Sequence, residues 1–312
     1  PHSMTHSPVP GNSPTTSRRY FDSGIPLLLV SVRSAEEATI AIDGGCQLLD
    51  VKEPNAGSLG RASWSVIQQI LHIGTQRGIP VSAALGEATE WLEQDSFTSR
   101  APNRGGHERS AQAIATESDS VEIPLIEKRL STAPALRFAK LGLSGLGNNQ
   151  QSLHQWNRIA ELSEAALARS GLRLHSKAHR VAVIYADWQA AGSPSPDSII
   201  QHAIQDDRIT GVLIDTWSKS SGTLLDSFCV PELQEIANTV QSAERFLALA
   251  GRLTIESIRK LQSVQPDVIA VRSAACRGAD RTAAVDADAV RHLHAELQSV
   301  FCEAPSEPRN IQ

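Results

Sequence analysis

Eight short, unbroken apolar runs, each followed in the chain by polar or helically spaced residues, restrict what this sequence can fold into. They are PLLLVSV (26–32), QLLDV (47–51), IPVSAAL (79–85), ALRFAKL (135–141), RVAVIYA (180–186), TGVLID (210–215), FLALA (246–250) and DVIAV (267–271). A continuous apolar run of this length suits a strand buried on both faces. Helical patterns fall at 34–45, 62–75, 152–170, 197–205, 231–243, 253–263 and 285–300. The first opens with Ser34 and Glu37 at capping-box spacing and stops at Gly44 and Gly45. In the second, Val66, Ile67, Ile70 and Leu71 mark one apolar face. Strands alternating with helices predict a parallel sheet. Eight of them predict an α/β fold, a single (β/α)8 TIM-type barrel. An open doubly wound sheet is the alternative if two of the runs are not strands.

One stretch breaks the rhythm. Residues 87–134, between strands three and four, contain SFTSRAPNRGGHERSAQ and are longer than a βα unit needs. A helix is expected near 123–131, and 96–120 reads as a polar, mobile insertion. Lying after a strand, it belongs to the C-terminal face, either as a cover for a site or as a tolerated surface insertion. The Ser-, Pro- and Thr-rich residues 1–24 are expected to be disordered. The barrel then occupies 25–304, and 305–312 form a C-terminal tail.

Charge and composition exclude several functions. The net charge of −5 leaves no basic excess for nucleic acid. No apolar run approaches the ~18 residues of a membrane span, and residues 1–24 lack the apolar core of a secretory leader. Cys46, Cys229, Cys276 and Cys302 are scattered without a CxxC pair, which fits a reducing cytoplasmic setting. His292 and His294 stand two apart on a predicted helix and face different ways, and there is no HExxH, so no metal and no cofactor is expected. The apolar outer helix faces are compatible with a homo-oligomer and equally with ordinary helix packing.

Chemistry in a barrel sits at the C-terminal ends of its strands. Strand two ends in Asp50-Val51-Lys52, and alternation places Asp50 and Lys52 on the same side. Strand four ends at Lys140, strand six at Asp215 with Lys219 four residues on, and strand eight runs into Arg272. All are even-numbered strands, and alternate strands share a layer. Of three lysines and two aspartates at one mouth, the neighbouring ammonium groups disfavour one another's charged forms and partial burial adds to that, so a lysine amine can lose its proton and attack a carbonyl carbon while the aspartates hold the remaining ammonium or move protons. That is Schiff-base chemistry on a small, sugar-like substrate. Rim salt bridges would account for any single lysine, but less well for all three. Phosphate is expected at the loops after strands seven and eight, at Gly251, Arg252, Arg272, Ser273 and Arg277. Gly251 would let backbone N–H groups approach the anion, and Arg272 or Arg277 would fork onto it. Gly142, Gly145 and Gly147 match no nucleotide loop and read as a turn. Cys276 reads as a small packed residue, and Tyr185, Asp187 and Trp188 as residues near the pocket.

The phrases LLVSVRSAEEA (28–38), DVKEPNAGSLG (50–60), VSAALGE (81–87), FAKLGLSG (138–145), YADW (185–188), LIDTWSKSSGTLLD (213–226), LALAG (247–251) and VIAVRSAACRGADRTAAVD (268–286) together resemble one family. It is the (5-formylfuran-3-yl)methyl phosphate synthase family of methanofuran biosynthesis. The resemblance runs from residue 26 to about 300 and leaves out the head and the middle of the insertion. It implies a TIM-type barrel and a lyase that condenses two glyceraldehyde 3-phosphate molecules into a phosphorylated furan aldehyde, releasing phosphate and water. It implies that Lys52 forms the imine and that Lys219 is the principal acid–base group. Lys140 would bind phosphate or tune Lys52, while Asp50 and Asp215 would orient the lysines and relay protons. Ser273 and Arg252 replace the Gly and Ser common in the family, which touches the phosphate loops and leaves the lysines intact. The extra length is similar to bacterial members linked to one-carbon metabolism. The residues also accommodate another Schiff-base aldolase on triose or sugar phosphates, or a catalytically silent barrel that binds a phosphometabolite.

Overall fold

A computed structural model of the chain describes residues 24–92, 134–176, 179–218 and 222–302. The expected disordered head, the 96–120 insertion, the helix near 123–131, the tail and Lys219 lie outside the described residues.

The strands are β1 (Leu27–Val32), β2 (Leu48–Val51), β3 (Val81–Glu87), β4 (Phe138–Gly142), β5 (Arg180–Tyr185), β6 (Ile209–Asp215), β7 (Phe246–Leu249) and β8 (Val268–Val271). Each is parallel to its neighbours, and β1 pairs with β8 to close the barrel. The principal helices are α1 (Ala35–Asp43), α2 (Trp64–Arg77), α3 (Gln150–Arg169), α4 (Trp188–Ala191), α5 (Pro196–Gln205), α6 (Leu224–Ser227), α7 (Val230–Ser242), α8 (Ile255–Lys260) and α9 (Ala287–Cys302). They start and stop where local chemistry dictates. Ser63 caps α2 through the Val66 N–H, and Gly78 ends it in the left-handed conformation at φ 68°. Pro196 sits in the first turn of α5, where its missing N–H matters least.

At α1 the residues meet differently from the expected capping box. Ser34 accepts the Glu37 N–H at 3.2 Å. Glu37, however, takes the Arg33 N–H at 3.0 Å and turns its carboxylate to Arg272 on the far side of the β1–β8 seam. A buried guanidinium needs a counter-charge more than an exposed cap needs a second bond.

Side-chain alternation separates two cores. Outward-facing residues such as Leu28, Val30 and Val32 join the layer beneath the helices. Inward-facing residues such as Leu29, Leu48, Val183 and Leu213 fill the barrel. Near its N-terminal end, Phe138 and Phe246 meet edge to face with ring centroids 5.1 Å apart. The Phe246 ring passes so close to Gly211 that a Cβ there would lie 2.5 Å from it. This aromatic floor closes the barrel from below, so the opening lies at the C-terminal ends of the strands.

Candidate active site

The charged centre forms by direct registry. Asp50 on β2 stands opposite Ser31 on β1 and Ser82 on β3. Both hydroxyls donate to it, Ser82 at 2.8 Å and Ser31 at 3.3 Å. Lys140, one strand further, reaches the same carboxylate at 2.5 Å. Asp50, Lys52 and Lys140 are all buried. Burial alone would raise the Asp50 carboxyl, but the ammonium charges of Lys140 and then Lys52 outweigh it and hold it below the usual carboxylate range. Across the mouth, Asp215 accepts the Thr216 N–H at 2.8 Å and the Ser58 hydroxyl at 3.1 Å. Ser58 also donates to the Thr216 carbonyl at 3.0 Å, so the loop after β2 clamps the end of β6. A cavity of about 240 Å³ opens between these groups, lined by Asp50, Lys52, Lys140 and Asp215. Lys219, expected to join them, lies outside the described residues.

The expected phosphate residues divide. Gly251, with φ 96°, lines the cavity together with Arg252 and Ser273. Arg272 lines it too, but its five N–H groups are all engaged within the protein. They go to Glu37 Oε2 and Oε1 at 2.5 and 3.0 Å, the Ser31 carbonyl at 2.9 Å, the Arg281 carbonyl at 2.9 Å and the Ala283 carbonyl at 3.0 Å. No donor remains to fork onto an anion, which corrects the expectation for Arg272. Arg277 is largely exposed, meets Asp286 at 3.9 Å and is not among the residues lining the cavity. Cys276 is buried, and burial pushes its thiol up to about 11, the behaviour of a packed residue.

Beside this centre lies a group that the apolar runs do not reveal. On β3, Ala84 pairs with Lys140 but Glu87 pairs with Gly142, so β3 carries one extra residue around Gly86, whose φ is 91°. This bulge reverses the alternation and brings Glu87 to the face that Ala84 occupies. The buried Tyr185 hydroxyl on β5 donates to Glu87 Oε1 at 2.5 Å. Glu87 Oε2 accepts the N–H and hydroxyl of Ser144 at 3.2 and 2.8 Å. Burial and then the Glu87 carboxylate push the Tyr185 phenol well above its ordinary value, so the phenol keeps its proton and donates. Gly142 is glycine because a methyl there would overlap both the Glu87 carboxylate and the Tyr185 hydroxyl. Gly142→Ala is therefore expected to destabilise the fold by about 1–3 kcal/mol, as overpacking does. Adding Tyr185→Phe, which removes the crowded oxygen, should recover part of that loss in urea unfolding; no recovery would mean the clash lies elsewhere.

At the end of β5, Asp187 accepts the Trp217 and Ser218 N–H groups at 2.7 and 2.8 Å, fixing the backbone just before Lys219. Trp188 packs against the barrel core. Neither Tyr185, Asp187 nor Trp188 is among the residues lining the cavity.

So much charge taken out of water does little for stability by itself. Concentrated at the open end of a plugged barrel, it marks a (β/α)8 enzyme. The chain belongs to the 4-HFC-P synthase family, whose sequence pattern matches residues 28–127 and 117–294. It is 29% identical over 274 residues to the (5-formylfuran-3-yl)methyl phosphate synthase of Methanothermobacter thermautotrophicus, covering 88% of this chain and 99% of that protein. The proteins of the same name from Methanococcus maripaludis strain C6 and Methanocaldococcus jannaschii are 29% and 28% identical, covering 82% and 86% of this chain and 92% and 97% of theirs. No helix among the described residues is long and apolar enough to cross a membrane.

Proposed function

We propose that this enzyme is a lyase of methanofuran-type cofactor biosynthesis that condenses two glyceraldehyde 3-phosphate molecules into (5-formylfuran-3-yl)methyl phosphate through an imine on Lys52. The observation that carries this reading is the pairing of two buried lysines, Lys52 and Lys140, with one buried carboxylate, Asp50, at the cavity. Neighbouring ammonium groups disfavour each other's charge, and a lysine amine without its proton is a nucleophile for a carbonyl carbon. The amine of Lys52 adds to the aldehyde carbon of one triose phosphate, and the carbinolamine loses water to give the C=N bond. The protonated imine acidifies the adjacent C–H, and the resulting carbon nucleophile forms the new C–C bond to the second carbonyl. Loss of phosphate from one triose, loss of water and ring closure then give the furan, and water releases the product from Lys52. Overall, two triose phosphates yield one furan phosphate, one inorganic phosphate and two waters.

Asp215, held rigid by Ser58 and Thr216, together with Lys219, moves protons in the eliminations. Lys140 acts beside Lys52 through Asp50, a role its short contact with that carboxylate supports over phosphate binding. Gly251, Arg252 and Ser273 lie where a retained phosphate would rest.

The test is incubation of the pure protein with glyceraldehyde 3-phosphate, following furan absorbance, phosphate release and product mass. Borohydride trapping then locates the adduct. A phosphorylated furan aldehyde with the label on Lys52 is expected. An adduct without furan would move the enzyme to another Schiff-base aldolase reaction, and a folded protein giving neither would favour a silent binding barrel.

A further inference from the structure

Arg272, unable to offer an N–H to an anion, instead holds a neighbouring segment. Its Nε and Nη2 donate to the carbonyls of Arg281 and Ala283 at 2.9 and 3.0 Å. These belong to an arm, residues 276–285, that leaves the end of β8 and returns to α9. Its neck is closed by the antiparallel bridge between Cys276 and Val285 and by the Arg277 N–H on the Ala284 carbonyl at 3.0 Å. Within the arm, Asp280 accepts the N–H and hydroxyl of Thr282 at 2.9 and 2.8 Å, committing its carboxylate to its own turn. Arg281 extends across the mouth, where its Nη2 donates to the Pro54 and Gly57 carbonyls at 2.9 and 3.2 Å.

Arg281 lines the cavity, and no carboxylate among the described residues forms an ion pair with it. Asp215 acts on it only through space. Other arginines built into the fold have their carboxylates: Glu37 for Arg272, Glu164 for Arg180 and Asp206 for Arg208. A guanidinium oriented through Nη2, without a counter-ion among the described residues and placed at a cavity, keeps its Nη1 and Nε N–H groups and its charge for an anion such as a phosphate.

We propose that Arg281 is the cation that recognises the phosphate monoester of the substrate, with Nη2 fixed on Pro54 and Gly57 and an Nη1 or Nε N–H on a phosphate oxygen. Arg272 and Glu37 are then positioning residues that hold the arm. The proposal rests on the reading of this cavity as a site for triose phosphates.

The test uses glycerol 3-phosphate, which carries the phosphate but no carbonyl, with binding to the full-length protein measured by calorimetry. Arg281→Gln is expected to weaken binding about 10- to 100-fold, the range for losing a charge-assisted hydrogen bond. Arg281→Lys should also weaken it, because a single nitrogen cannot sit both at the two carbonyls and at the phosphate, as separate guanidinium nitrogens do. Borohydride trapping supplies the second measurement. In Arg281→Gln the preference of Lys52 for glyceraldehyde 3-phosphate over glyceraldehyde should vanish while the glyceraldehyde adduct persists. Equal loss of both adducts would reduce Arg281 to a structural tie and overturn the proposal. So would wild-type binding of glycerol 3-phosphate by either variant. If wild-type protein forms no adduct at all yet Arg281→Gln loses glycerol 3-phosphate, the reaction proposed above falls and the role of Arg281 stands. Should Arg281→Gln not fold, Arg281→Lys decides the matter by the same binding measurement.

Discussion

Lys52→Arg is expected to abolish furan formation, lowering turnover by at least about 10⁴-fold, as removal of a covalent nucleophile does. Guanidinium stays protonated and cannot add to a carbonyl carbon. Its positive charge still faces Asp50, so the electrostatic frame is kept and the loss isolates the nucleophile. Borohydride should leave no adduct, while circular dichroism and the thermal midpoint should report a folded barrel. Near-normal turnover in the folded variant would remove Lys52 from the mechanism and shift attention to Lys140, the other buried lysine at the cavity among the described residues.

Asp50→Asn should have the largest effect on stability. The variant leaves two buried ammonium groups facing a neutral amide, and breaking a buried ion pair from one side costs about 3–5 kcal/mol. The pH dependence has a definite sign. Burial raises the Asp50 carboxyl, but Lys140 and Lys52 bring it, in the folded state, below its ordinary value of 3.8. A carboxylate depressed by folding stabilises fully above its unfolded pKa, and the contribution is lost as pH falls through the folded value. The gap in urea midpoint between wild type and Asp50→Asn should therefore be wide near neutral pH and begin to close only as pH falls below about 4. A gap that stays constant into acid would show that Asp50 contributes by shape and not by charge.

Much of this was readable from residues in order. The eight apolar runs lie within a few residues of β1–β8, because strands buried on both faces must be apolar throughout. Asp50, Lys140 and Asp215 stand out because charge at the end of such a strand is unusual, and all three line the cavity. The same rule applies to Glu87, but the third apolar run stops at Leu85, and simple alternation from Ala84 turns residue 87 outward. Only the bulge at Gly86 reverses that. Ser31, Ser58 and Ser82 carried no signal, since serine is common everywhere; their importance lies in the registry and loop contact that bring them to Asp50 and Asp215.

The arginines mark the limit most clearly. Arg272 ends an apolar strand as Lys140 does, and by sequence the two are equivalent candidates for substrate. Their difference is the partner. Lys140 meets a carboxylate at the cavity, whereas Arg272 meets Glu37 from the opposite end of the chain together with three backbone carbonyls. Arg281, nine residues beyond Arg272, reaches the cavity only because its arm folds back on itself. The sequence by itself determined the barrel and the strand ends where chemistry gathers, because burial and periodicity are local along the chain. Tertiary structure alone decided which charge is already neutralised and which lacks a counter-ion among the described residues, because electrostatic pairing depends on distance in space across the barrel mouth.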